Sequence, residues 1–339
     1  MGNKDFISIG ENIHCTRSVK SGGPRTTVLP GGGEGVTFKH RGESRVLPIP
    51  SNWAELSSSY SDGKIRHIAL AIYLAMNGSS DDRINGRDYL YWATDRQIKN
   101  GADFLDINVD EYSTDPDERI DTMKWLAALL SEHTDKPLCM DSSNVETLAA
   151  GLESCARGPE PMINSISLER EDAVAVALQY RAHAVVSAAG KASLPSSTDE
   201  RLDNFRGIVG ILEKAGMPRE KMYLDALVFP ISVDPNNGRG FLEASAAAGA
   251  EFEGANLSGG LSNVSFGMPN RKLLNLVFTR LFVEAGGNSA IVDPVQISAE
   301  SLRTFDMESE PAGLARAVLD GSDMYGTEYI AAFRGGRLG

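Results

Sequence analysis

Cysteine and histidine are scarce in this sequence: three Cys and five His in 339 residues. Cys15, Cys139 and Cys155 form no Cys-x-x-Cys pair and no evident disulfide framework, the usage of a reducing cytoplasm. His14, His40, His67, His133 and His183 fall in no catalytic or zinc-binding pattern, so a nucleophilic triad lacks its histidine. No apolar run reaches the roughly 18 residues of a membrane span, and the opening MGNKDFISIGENIH lacks an apolar secretory core, which again suggests a cytoplasmic chain. Positive charge is also short: 33 Lys and Arg face 46 Asp and Glu, a net charge of −13. Nucleic acid is therefore a poor partner, because phosphate binding needs a basic face. Aromatics make up only 7% of residues, few for the stacking platforms that accompany paired carboxylates in glycosidases.

Short apolar runs alternate with amphipathic stretches. Strands are expected at Phe6–Ile13, Ala102–Val109, Pro137–Asp141, Met162–Ser167, Ala184–Ala188, Met222–Phe229, Ala255–Ser265 and Ser289–Asp293. Helices are expected between them. The clearest, Asp117–Glu132, carries Ile120, Met123, Trp125, Leu126, Leu129 and Leu130 on one side. Asn144–Cys155, Asp172–His183, Asp199–Ala215 and Lys272–Ala285 follow the same period, with Asp115, Asn144 and Asn270 as candidate caps. Eight strand–helix repeats predict an α/β chain, a (β/α)8 TIM barrel spanning residues 1–339 as one domain. An open doubly wound sheet is the alternative. It is disfavoured because no Gly-x-Gly-x-x-Gly follows the first strand and polar residues recur at many strand ends.

Residues of about 15–85 break the rhythm. This Gly-, Ser- and Pro-rich stretch contains one apolar helical run, IRHIALAIYLAMNG. A structureless loop of that length does not suit a compact domain. It is expected to be an insertion between strand 1 and helix 1, folded on the C-terminal face of the barrel, where active sites of this architecture lie. It would serve there as a lid or substrate wall, or as surface decoration or an oligomer contact. The tail FRGGRLG is expected to fray.

The last residues of the expected strands are rich in Asp and Asn: Glu11 and Asn12; Asp106, Asn108 and Asp110; Asp141 and Ser142; Asn164 and Ser165; Asp225; Ser262 and Asn263; Asp293. Converging on one end of a barrel, such acceptors and amides suit a flat nitrogen heterocycle with ring N–H donors and a carbonyl. A ligand lacking those donors would leave buried groups unpaired. A pterin fits this chemistry, although the chemistry does not single it out. No metal cluster is evident.

The segments GADFLDINVDE, PLCMDSSN, PMINSIS, YLDALVFP and GGLSNVSFGMPNRK occur in the order and spacing of the pterin-binding, dihydropteroate synthase-like barrels. The sequence is most similar to the methyltetrahydrofolate:corrinoid methyltransferases and to the folate domain of cobalamin-dependent methionine synthase. The resemblance implies that Asp141, Asn164 and Asp225 hydrogen-bond the pterin ring and that Asn263 lies near its N5. Ser262 and Arg271 would shape the same loop, and Asp106 and Asn108 would lie on the rim. Glu11 and Asn12 resemble the strand-1 Gly-Glu-Arg-x-Asn signature. The implied reaction moves a methyl group between N5 of methyltetrahydrofolate and the cobalt of a corrinoid. The sequence has no Asp-x-His-x-x-Gly cobalamin-binding motif and no zinc-binding cysteine set, so the corrinoid is expected on a separate protein. A homodimer is also expected. The alternatives are a corrinoid-free, tetrahydrofolate-dependent demethylase, a dihydropteroate synthase, and a non-catalytic folate-binding subunit. The synthase is disfavoured by the missing Asn-Val-Thr-Pro-Asp-Ser-Phe and Ser-Arg-Lys loops.

Overall fold

The computed structural model describes residues 6–155 and 158–338. Its strands are β1 (Ile7–His14), β2 (Ser18–Lys20), β3 (Thr26–Val28), β4 (Glu34–His40), β5 (Glu43–Pro48), β6 (Lys64–Arg66), β7 (Phe104–Asn108), β8 (Leu138–Asp141), β9 (Met162–Ile166), β10 (His183–Ser187), β11 (Met222–Asp225), β12 (Asn256–Ser258) and β13 (Ser289–Val292). Eight of them form one sheet in the order β12-β11-β10-β9-β8-β7-β1-β13. A parallel bridge from Gly260 to Ile291 joins the two ends of that order. Helices separate the successive strands of this sheet, so the chain is an α/β (TIM) barrel. Every residue of β7 and of β13 is buried, the mark of strands covered on both faces.

Two compact units divide the described residues: 6–10, 100–104 and 160–338 in one; 11–99, 105–155 and 158–159 in the other. In the first unit, β1 pairs with β13 in the register Ile7↔Ser289 to Gly10↔Val292. Buried Phe205, Phe241, Phe278 and Phe282 fill the space around its strands. The expected helix Asp172–His183 is shorter, Ala173–Gln179. Arg181 adopts φ 56, and His183 opens β10 instead. Asn270, expected as a side-chain cap, takes φ 43, and its Nδ2 donates to the Leu338 carbonyl at 3.3 Å. That bond and the burial of Leu338 tie down the tail that was expected to fray.

In the second unit, the segment after β1 folds as two small antiparallel sheets, β2 with β6 and β3-β4-β5. The β4–β5 turn uses Arg41 and Gly42, both at positive φ, as a two-residue hairpin requires. Two helices follow, His67–Asn77 and Ser80–Lys99. Gly86 lets them approach: a Cβ there would lie 2.5 Å from the Ala71 carbonyl oxygen. Arg25 donates to the Tyr89 hydroxyl at 2.7 Å, and that hydroxyl meets His67 Nδ1 at 3.1 Å. Burial, helped by the charges of Arg25, Arg17 and Arg96, drives the His67 pKa down to about 3, so this ring is neutral. No helix of the described residues is long and apolar enough to cross a membrane.

Candidate active site

The second unit holds the polar ends of β1, β7 and β8. Strand alternation puts Asp106 and Asn108 on one face of β7. Asp106 is 1% exposed and hydrogen-bonds the Cys139 thiol, opposite it in the β7–β8 register. Burial, with Asp106 beside it, holds that thiol well above its usual pKa. All three cysteines are buried and free. Asn108 Oδ1 accepts the Asp110 N–H at 3.0 Å, and its Nδ2 donates to Asp141 Oδ2 at 3.0 Å. The backbone N–H fixes which way the amide faces. His14 Nε2 stands 3.6 Å from the same Asp141 oxygen. The Thr16 N–H donates to His14 Nδ1 at 3.2 Å, so Nδ1 acts as an acceptor and Nε2 is the ring nitrogen beside the carboxylate.

The other polar groups of this unit are tied to their neighbours. Glu11, 13% exposed, pairs with Arg17 at 2.5 Å. The Asn12 N–H donates to Gln97 Oε1 at 3.0 Å. Asp110 receives the Ser142 and Ser143 hydroxyls and the Ser143 N–H, and so ties β7 to the turn after β8.

The first unit holds the remaining predicted residues. In β9 the pairing steps from Asn164↔Val185 to Ile166↔Val186. Ser165 is the extra residue of a bulge, a device that re-aims neighbouring side chains. Arg170 donates to Ser165 Oγ at 2.6 Å. Asp225 ends β11. Its Oδ1 accepts the Leu227 N–H at 2.8 Å, with Leu227 at φ 68, and the carboxyl also accepts the Gly260 N–H. Burial raises its pKa to about 6 despite those two bonds and the charge of Arg201. Arg201 is 4% exposed and donates to the Ala226 carbonyl at 2.7 Å. Asp293 belongs to a turn: it accepts the Val295 N–H at 3.0 Å and the Gln296 amide at 2.5 Å.

The strand expected over Ala255–Ser265 stops at Ser258, and Leu261–Ser265 forms a 3-10 turn. Its Gly-Gly pair has a steric reason. A Cβ on Gly259 would come within 2.8 Å of the Phe241 ring and 3.3 Å of Asp225 Oδ1; one on Gly260 would sit 3.0 Å from Asn263 Nδ2. Arg271, first residue of the next helix, donates to Ser262 O at 2.8 Å and to Ser265 Oγ at 3.0 Å, with its guanidinium 4.3 Å from the Phe266 ring centroid. The half-buried Asn263 thus lies on a clamped turn, and its side-chain amide hydrogen-bonds no other described residue.

A model of the pterin binding enzyme family matches residues 81–293. The chain belongs to the pterin-binding enzyme family. The family match begins inside the helix Ser80–Lys99, leaving out β1 and the small sheets after it. The methylcorrinoid:tetrahydrofolate methyltransferase of Eubacterium limosum is 26% identical to this pterin-binding enzyme over 249 residues, 72% of this chain and 86% of that protein. Two solved structures share the fold. The 7,8-dihydropteroate synthase of Vibrio fischeri ES114 superposes with a TM-score of 0.51 at 16% identity, covering 70% of this chain and 86% of that one. The Yersinia pestis enzyme, solved with a pterine-sulfa conjugate, gives 0.50 at 17% identity over 63% and 87%.

Nothing in the sequence places His14 beside Asp141. Arg201 did leave a signal: it occupies the buried face of its helix, in register with Phe205, Ile208 and Leu212.

Proposed function

We propose that this pterin-binding enzyme is a methyltransferase that moves a methyl group between N5 of methyltetrahydrofolate and the cobalt of a corrinoid carried by a separate protein. The Eubacterium limosum relative acts, by its name, on the same two substrates, which supports the reading. Asp141, Asn164 and Asp225 hydrogen-bond the pterin ring, with Asn108 orienting Asp141 and the Gly260 N–H orienting Asp225. Asp106 and Asn108 lie on the rim, and Glu11 and Asn12 make the strand-1 contribution. The observation that carries the proposal is the Gly259–Arg271 loop: it fixes the backbone around Asn263 and leaves that amide unspent.

The chemistry explains why an amide is suited to this position. The methyl carbon leaves N5 without the bonding electron pair, which stays on nitrogen while cobalt supplies the pair for the new bond. N5 then gains a proton. An amide donates to the nitrogen lone pair as it develops and accepts from the N–H that forms, whereas a carboxylate could only accept. Ser262 and Arg271 hold the turn while this happens.

The test is anaerobic: purified chain, methyltetrahydrofolate and chemically reduced cob(I)alamin, followed by absorbance as methylcobalamin forms. Conversion proportional to enzyme is expected. Folate binding without conversion, either with free cobalamin or with a corrinoid protein added, would reject methyl transfer to cobalt.

A further inference from the structure

The Asp141 carboxylate is approached from the two strands that precede β8 in the sheet, β7 and then β1. From β7, Asn108 Nδ2 donates to Oδ2 at 3.0 Å. From the end of β1, His14 Nε2 stands 3.6 Å from the same oxygen. Oδ1 hydrogen-bonds none of the described residues. The carboxylate is therefore divided: one oxygen faces two side chains of the protein, and the other is left to accept from elsewhere. The side chains of His14 and Asp141 are 23% and 24% exposed, open enough for a ligand to reach the free oxygen.

The chain leaving β1 sets the imidazole. The Cys15 N–H donates to the Asn108 carbonyl at 3.0 Å, which joins the end of β1 to the end of β7. Thr16 then aims two donors at His14 Nδ1, its N–H at 3.2 Å and its hydroxyl at 2.8 Å. With Nδ1 accepting, Nε2 is the donor end of the ring. Its 3.6 Å separation from Oδ2 exceeds a hydrogen bond. A donor dipole at that range still acts on a carboxylate. His14 and Thr16 lie before the residues matched by the family model, 81–293, whereas Asn108 and Asp141 lie within them. The segment leading into the small sheets thus reaches a carboxylate that the family match contains.

An aspartate turns easily about its last torsion. One hydrogen bond to one oxygen leaves much of that freedom. A second donor on the same oxygen, from a different strand, restricts it. We propose that His14 is a positioning residue of the folate site, acting through Asp141. With Asn108 it holds Oδ2, so that Oδ1 meets a ring N–H of the bound folate in one orientation. The proposal rests on the assignment of Asp141 to the pterin ring.

Two measurements on the full chain test it: methyltetrahydrofolate affinity by calorimetry, and single-turnover methyl transfer at saturating folate. His14→Leu is expected to weaken folate about 5-fold, the worth of one polar contact. The saturated transfer rate should stay within about 2-fold, the pattern of lost ground-state binding. His14→Gln puts an amide nitrogen in the place of Nε2 and should recover most of the affinity. Thr16→Val, at an exposed position, should cost about 2-fold by loosening the ring. A double-mutant cycle decides the route: in an Asp141→Ala background, His14→Leu should cost nothing further. If the two losses multiply instead, His14 does not act through Asp141, and the proposal falls with the folate reading intact. Unchanged affinity in His14→Leu, or equal losses in the Leu and Gln variants, would overturn it as well. If Asp141→Ala alone leaves folate affinity unchanged, the assignment of Asp141 fails, and the proposal with it. Normal folate affinity without methyl transfer in wild-type protein would count against the methyltransferase reading alone, since affinity carries the cycle.

Discussion

Arg271 holds the Ser262 carbonyl at 2.8 Å from the far side of Asn263 and so sets the turn on which that amide stands. Lysine cannot reproduce two bonds from one planar fork. Arg271→Lys is therefore expected to lower methyl transfer about 10-fold while costing less than about 1 kcal/mol of stability, because the Arg271 side chain is exposed. Steady-state rates beside a urea melt check both halves.

Gly259→Ala is expected to destabilise the protein by about 1–3 kcal/mol, the usual cost of an extra methyl in a packed region. The added carbon would press on the Phe241 ring and on the Asp225 carboxyl. A fall in the denaturant midpoint, with folate affinity reduced as well, is the expected result.

Asp225 supplies a pH dependence with a definite sign. Its folded pKa of about 6 lies above the reference 3.8, so its contribution to stability is present below about pH 4 and lost as pH rises through about 6. Ligand binding has the opposite slope. A pterin N–H needs the ionised acceptor, so folate affinity should weaken as pH falls through about 6. Asp225→Asn should bind weakly and with no such titration. Fluorescence titrations between about pH 5 and 7 decide it.

His67 titrates the other way. Its pKa of about 3 lies below the reference 6.5, so the stability it contributes is present above about 6.5 and is lost as pH falls toward 3. Acid should therefore open the small sheets and helices around Tyr89. Limited proteolysis at about pH 5 should cut within residues 15–79 before the rest of the chain.

Much of the fold was legible because parallel strands are continuous apolar runs, and all eight were found. The overruns share one cause. Val228, Leu261 and Val264 are buried in turns that follow β11 and β12, and a buried turn reads like more strand. Helix 1, expected after residue 85, begins earlier, at Ser80, and its buried face includes Gly86, Thr94 and Gln97, which blur the apolar period. EGVTFKH does alternate, yet the glycines and serines around it concealed a hairpin. At the candidate site, residue types at strand ends could be read from the sequence. Their couplings could not: Asn108 meets Asp141 33 positions away, and Asp225 is set by Arg201 and Gly260.

Asn263→Ala tests the central claim most directly, with single-turnover methyl transfer and folate dissociation measured on the same protein. The account predicts a fall in transfer of about 100-fold, corresponding to roughly 3 kcal/mol of lost transition-state stabilisation, with folate binding changed only a few-fold. Unchanged transfer, or transfer that falls only as far as folate affinity does, would contradict it.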